Sequence, residues 1–433
     1  MVCLAYRLSI PHRPCVGISE PPPIATEVPR RHAFGRRALV LGMVTLSGPL
    51  AMNMYIPAVP RMAADLATDP AAIQYSLTSF LIALAFGQNV YGPLSDRLGR
   101  RVPLFAGLAL FLAASIAVAF STTLEWLVVC RFVQGFAACA AMAIPRAVIR
   151  DLHTGAEAAR LLALVVLVVS LAPLLAPVAG SGLASAFSWR TIFWFMAGTS
   201  LLAILLVALY LPETLPPSRR THGGVRKVAR SYRVLLGDRH FLGLMLMMGT
   251  AQASFFAFLG ASPILFMDLY GWEDWQYGLV FGSTAIIWAV SAQFAPAAIT
   301  RFGGRRVLLA ATSALLATQA FMLALGFLGQ IGPLSLILGL FPVYVATGIL
   351  LPTGTVTALH LHGHVAGTAS ALIGTAGFGC GAAASFAVSA LADGTAMPML
   401  WVMVLLASAS VIAARVAFSG NDHLDEAGPA RAE

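Results

Sequence analysis

The sequence predicts an all-α membrane protein of twelve transmembrane helices in two six-helix pseudo-repeats, on three observations. The first is composition. Of 433 residues, 59% are hydrophobic and 10% charged, whereas soluble domains carry about a quarter charged residues. So few charges cannot cover a soluble core of this size, so lipid is the solvent for most of the surface. The second is a series of charge-free runs, each near or above the ~20 apolar residues that cross a hydrocarbon core as a helix. The third is a repeat: a shift of 205 residues lays "LGRRV" (98–102) on "GGRRV" (303–307), each after the second span of its half.

Runs without Asp, Glu, Lys or Arg at 38–60, 70–95 and 102–124 give the first three spans. Segment 126–150, with Arg131 inside it, is the fourth, and 161–189 and 191–212 complete the first half. The second half follows at 241–267, 275–300, 307–359, 365–392 and 394–414. The 53 residues of 307–359 are too many for one span, and "GQIGP" (329–333) divides them at helix-breaking residues. The expected organisation is a disordered tail 1–37, a six-helix half 38–212, a linker 213–240, a second half 241–418 and a tail 419–433. The text "SEPPPIATEVPRRHAFGRR" before the first span is Pro-rich and polar, and reads as disorder, not as a cleavable signal peptide.

Arginine placement orients the chain. Of 27 Lys and Arg, 24 fall in the two tails, in the even-numbered loops or at their borders; Arg61 and Arg190 lie on the other side, and Arg131 inside a span. That bias predicts both termini and the even loops on the cytoplasmic side. The net charge of +9 is therefore a topology signal, and no nucleic-acid partner is expected. Five scattered cysteines, at 3, 15, 130, 139 and 380, have neither disulfide nor metal spacing, and no metal is expected. Two similar halves around a basic linker suit an alternating-access transporter with its site between the halves. A membrane enzyme would need clustered nucleophilic or acid–base groups at one depth, and a nucleotide hydrolase a P-loop; neither pattern is present.

Several stretches single themselves out. In "GPLSDRLGRRVPL" (92–104), Gly92 and Gly99 permit a tight turn and close helix approach. Asp96 stands at a helix end, where it can pair with Arg97, Arg100 or Arg101, or face the positive N-terminus of a helix from the other half. For Arg100 and Arg101 alone the plainer reading is a solvated turn that orients the protein. Arg131 lies about seven residues into its span, roughly 10 Å deep. Its charge costs about 2.5–3.5 kcal/mol at the centre of a bilayer, so it either faces a cavity or snorkels to the headgroups. Gln134 shares its face one turn on. Pro173 and Pro177 in "APLLAPVAG" bend the fifth span beside Gly180. Tyr55 and Gln252 are further cavity candidates, and "HLHGH" (360–364) reads as a loop substituting for arginines.

These stretches carry a resemblance. "GPLSDRLGRRVPL" resembles the loop 2–3 signature of the major facilitator superfamily at every defined position except Ser95, where another small residue is usual. "RFVQGFAACAAMAIPRAVIRDL" (131–152) looks like its fourth-helix signature, and "LAPLLAPVAGSGLASAFSWRTIFWFMA" (171–197) like the fifth-helix signature of its exporters. With "LPETLPPSRR" (211–220) and "AGTASALIGTAGFGCGAAAS" (366–385), the likeness covers 38–418 and points to the bicyclomycin/chloramphenicol-resistance (Bcr/CflA) group. The resemblance implies drug efflux from the bacterial inner membrane by proton antiport, with small amphipathic molecules and protons as partners, no cofactor, and a monomer in the bilayer. It implies that Asp96 latches against helix 11 and that Arg131 serves coupling and substrate. Where relatives carry "DMYLPALP"-like text, this chain reads "NMYIPAVP": Asn53 replaces the acid and cannot titrate. Coupling is then left to boundary acids (Asp65 or Glu125 on one side, Asp96 or Asp151 on the other), to protons on the substrate, or is lost in a facilitator. Uptake or exchange of a defined metabolite is the competing transport reading.

Overall fold

The structure is a computed structural model that describes residues 31–152, 155–220, 225–360, 362 and 365–419. Among these residues there are twelve long helices: α1 Arg31–Asn53, α2 Tyr75–Leu98, α3 Arg101–Ala119, α4 Leu124–Leu152, α5 Gly155–Ala186, α6 Trp189–Tyr210, α7 Arg239–Pro263, α8 Asp274–Gln293, α9 Gly304–Phe327, α10 Pro333–His360, α11 Ala366–Ala390 and α12 Met397–Phe418. Among the described residues ten helices are long and apolar enough to cross a membrane, and two bent pairs, each taken as one span, bring the number to twelve. One bend, of 44°, falls in α5 between Pro173 and Leu175, as the prolines predict. The other, of 40°, parts α8 from the short helix Ala295–Phe302.

The first helix departs from the expected boundary. Residues 31–37, assigned to the disordered tail, are helical. After Pro29 the text "RRHAFGRRALV" has no proline and is rich in Arg and Ala, both good helix formers. Residues 1–30 of that tail, and 420–433 of the other, lie outside the described residues. The linker also holds a helix, Val225–Gly237.

The repeat is visible in the packing. In the first half α1 packs against α4, α5 and α6, while α2 meets α4 and α3 meets both α4 and α6. The second half reproduces this: α7 packs against α10, α11 and α12, α8 meets α10, and α9 meets α10 and α12. Two seams join the halves, α2 on α11 and α5 on α8, and the pseudo-symmetry exchanges them. The helices facing the interface therefore run in the order α2–α4–α1–α5 on one side and α8–α10–α7–α11 on the other.

Candidate functional site

The loop between α2 and α3 is a built network. Gly99 turns the chain at φ +94°, a conformation other residues rarely adopt. A side chain there would also collide with Glu213, whose carboxyl carbon lies 2.8 Å from the Cβ position. Glu213, just past α6, accepts the amides of Arg100 (2.8 Å) and Arg101 (3.2 Å) and so satisfies orphan donors at the start of α3. Burial acts to raise the pKa of Glu213, but the backbone amides of Leu215, Arg100, Arg101 and Thr214 outweigh it and hold the carboxyl below its ordinary value.

Arg100 corrects the plainer reading. It is 6% exposed and bridges Asp96 through Nη1 and Asp151 through Nε at 2.8 Å, with Nη1 also donating to Ser95 Oγ at 2.9 Å. A guanidinium offers donors in a fixed fork, so one arginine joins the ends of α2 and α4. Ser95, the departure from the family pattern, is thus part of the network. Arg101 donates to the carbonyl of Ala208 on α6 at 2.9 Å, and Arg97 is exposed in the last turn of α2. Gly92 needs correction too: nothing lies within 4 Å of its Cβ position, so it mediates no close approach. Asp96 is half-exposed.

Arg131 does not snorkel. It is 0% exposed and lies between the rings of Tyr55 (4.5 Å) and Phe80 (4.4 Å), in cation–π geometry. Nη1 donates to Gln134 Oε1 at 2.6 Å, and Gln134 passes the chain on to Ser115 Oγ at 2.8 Å. Tyr55 Oη comes near the guanidinium without hydrogen-bonding geometry, and Nε and Nη2 have no partner. Asn53 donates to the carbonyl of Pro49 at 2.8 Å, within its own helix, and its Oδ1 is buried without a partner. The structure therefore gathers Tyr55, Arg131 and Gln134, with Asn53 two residues before Tyr55. Gln252 stands apart: it packs on α11, its Oε1 2.5 Å from the Cβ position of Gly377.

Helix α4 shows which end of the interface is open. Gln134 faces α3 behind it, through Ser115. Met142 presses on Gly48 of α1, its sulfur 2.5 Å from the Cβ position, and Cys139 on Gly87 of α2, at 2.7 Å. At roughly 100° per residue, position 146 falls between those two flanks and points away from α3, towards the other half. Arg146 is exposed on that face. The same helix thus carries a sealed arginine near one membrane face and an open one near the other. At the sealed end Tyr55 and Tyr277 are each 1% exposed or less, and Tyr277 Oη bonds Ser262 Oγ at 2.9 Å.

In α5, a methyl on Gly180 would meet the carbonyl carbon of Met54 at 2.8 Å and its oxygen closer still. Pro177 is buried beside it and Pro173 is half-buried. The α2–α11 seam is pinned by Thr78 to Ser385 at 3.2 Å and by Asn89 Nδ2 to Thr375 Oγ1 at 2.8 Å. From the linker helix, Tyr232 Oη reaches Asn89 Oδ1 at 2.5 Å.

Three features escaped the sequence. In sequence Arg146 stands at the border of an even-numbered loop, among the arginines that orient the chain, because span ends blur there. Tyr232 gave no signal beyond its place in a basic linker. His362, which the sequence offers only as part of a loop substituting for arginines, bonds Asp238 at 2.7 Å. Burial acts to raise the pKa of Asp238, but His362 and the amides of His240 and Phe241 hold it below its ordinary value. His364 lies outside the described residues.

Residues 41–386 match the family described as Major Facilitator Superfamily. The "uncharacterized MFS-type transporter YdgK" of Bacillus subtilis is 34% identical over 86% of this chain and 92% of its own. A "bicyclomycin resistance protein homolog" of Haemophilus influenzae is 29% identical over 87% and 94%. A "chloramphenicol resistance protein" of Pseudomonas aeruginosa is 30% identical over 87% and 90%. Among solved structures, a D-xylose–proton symporter superposes with a TM-score of 0.68 at 15% identity, covering 89% of this chain and 98% of its own, and so shares the fold. The chain is a multi-pass membrane transporter and not an enzyme, and it belongs to the major facilitator superfamily, in its bicyclomycin/chloramphenicol-resistance group.

Proposed function

We propose that the protein exports small amphipathic molecules across the bacterial inner membrane by alternating access, as a monomer without a cofactor, and that the proton gradient drives it. The observation that carries this is the asymmetry of α4: Arg131 is sealed and Arg146 is open. By the positive-inside rule the open end, on the arginine-rich side, faces the cytoplasm. A cytoplasm-facing cavity is where an exporter loads its cargo.

Coupling is assigned to acids at the helix ends. Asp65 pairs with Arg190 and accepts Trp189 Nε1 at 3.0 Å, while Asp96 and Asp151 share Arg100. Protonating one of these acids releases its arginine, so charge is exchanged for movement of an element. One observation favours a second reading, proton-independent facilitation: Asn53, at the place of the relatives' acid, carries no proton.

Transport in inside-out vesicles with a fluorescent pH probe, against a drug panel, separates the two. Proton release on substrate addition in the wild type is expected. If no compound moves protons in the wild type, yet Asn53→Asp creates a response, antiport by the native protein is excluded.

A further inference from the structure

The charges within the spans are of one sign. Among the described residues, Asp and Glu stand only in the end turns of the helices or beyond them: Asp96 and Asp151 near the basic loops, Glu125 and Glu157 in first turns, Asp65, Asp268 and Asp274 past or at span ends. Arg131 and Arg146 lie deeper than any of them. Arg146 makes no hydrogen bond, ion pair or ring contact among the described residues. The acid closest along the helix, Asp151, is taken by Arg100 Nε at 2.8 Å and Thr214 Oγ1 at 3.4 Å.

Arg146 is open to solvent, so water meets its charge, but a guanidinium at this depth with no fixed partner is free to take an anionic one. The described residues offer Arg146 no acceptor, so one can arrive with a molecule that enters between the halves. We propose that Arg146 is a binding residue for the carboxylate, phosphate or sulfonate head of an amphipathic anion that enters from the arginine-rich side. As a statement about cargo this rests on the export reading. Fifteen residues away, roughly 22 Å along α4, Arg131 holds two more unpartnered nitrogens. An anion moving along this helix passes from the open Arg146 towards the partly unpartnered Arg131, and a cationic amphiphile meets two like charges.

The test is chemical protection of Arg146. Full-length protein in phosphatidylcholine nanodiscs is treated with phenylglyoxal, and modification of Arg146 is followed by peptide mass spectrometry. Octanoate and octyl phosphate are expected to slow it about tenfold or more, the difference one charge-assisted hydrogen bond makes to affinity; octylammonium and octanol leave it unchanged. Equal protection by octylammonium or octanol, or no protection by any probe, overturns the proposal. So does equal protection by inorganic phosphate, which would mark a site for bare anions. Protection by phosphatidylglycerol in the disc, with no probe added, makes a lipid headgroup the occupant and also overturns it. In inside-out vesicles, Arg146→Gln should abolish uptake of an anionic dye that Arg146→Lys retains, with a neutral substrate unaffected in both. If the wild type moves nothing while octanoate still protects Arg146, the export reading fails and the anion site stands.

Discussion

The close approach at Gly180 sets up a paired measurement. A methyl there would stand 2.8 Å from the carbonyl carbon of Met54, where non-bonded carbons rest about 3.5–4.0 Å apart. α1 and α5 would have to part by about an ångström, against backbone and not against a side chain that can rotate away. Overpacking of this kind costs about 1–3 kcal/mol. Two residues on, Gly182 has nothing within 4 Å of its Cβ position, and alanine there should gain up to about 1 kcal/mol of helix propensity. Gly180→Ala and Gly182→Ala should therefore differ by about 1–4 kcal/mol, the sum of the two effects. Thermal unfolding of the purified full-length variants in one detergent reads this directly, with Gly180→Ala melting below wild type and Gly182→Ala at or above it. Equal midpoints for the two variants, or Gly180→Ala at the wild-type value, would refute the claim that the glycine in the exporter motif is there for backbone contact.

Other substitutions test the networks. Glu213→Gln should cost about 1 kcal/mol at neutral pH, the worth of a hydrogen bond discounted for partial exposure. Because the folded pKa of Glu213 lies below its ordinary 4.5, that stability is fully present above 4.5 and lost as pH falls through the folded value. The variant should thus converge on wild type in acid, and a constant gap across pH denies the carboxylate its role. Tyr232→Phe removes the bond to Asn89, worth about 0.5–1.5 kcal/mol, and should speed amide exchange in α2 and α11 near Asn89 and Thr375; unchanged exchange leaves the linker helix outside the gate. Arg131→Met should leave thermal stability unchanged or raised, because it trades one hydrogen bond and two ring contacts for relief of a partly unpartnered buried charge. Drug accumulation in pump-deficient cells should rise with Arg131→Ala relative to wild type, and equal accumulation would remove Arg131 from the transport mechanism.

The spans, the repeat and the loop signature were legible because each depends on local text: apolar length, a shifted "GRRV", a fixed spacing of glycine and charge. What was not legible depends on which face of a helix points where. Arg146 and Arg150 look alike in sequence, four residues apart in the same basic stretch, yet Arg146 falls on the α4 face between α1 and α2. Arg100 and Arg101 are adjacent and chemically identical; only the turn at Gly99 decides that the first is buried between two acids and the second lies along α6. His362 found its acid 124 residues away, a pairing no spacing rule could supply.

The two halves share a turn but differ in how it is anchored, and that difference bears on how the machine moves. Gly303 repeats the geometry of Gly99, at φ +81° against +94°. Yet nothing lies within 4 Å of its Cβ position, and Thr300, three residues before Gly303 as Asp96 is before Gly99, bonds among the described residues only the carbonyl of Ala297 in its own helix. In the first half, α2, α3, α4 and the end of α6 are tied through Arg100 and Glu213. In the second, the described ties are at the start of α7 instead: Asp238 with His362 after α10, and His240 Nδ1 with the carbonyl of Ala417 on α12 at 2.8 Å. Rocking of one half against the other needs each to move as a unit. The first half achieves this on the arginine-rich side by binding its loops together, the second by binding its first helix to its last elements. Cutting the Arg100 network should therefore loosen α2 and α4 against each other while leaving the second half intact. Hydrogen exchange on Arg100→Gln would show faster exchange confined to the ends of α2, α4 and α6, and a spread into α7 and α12 would mean that the halves are not independently braced.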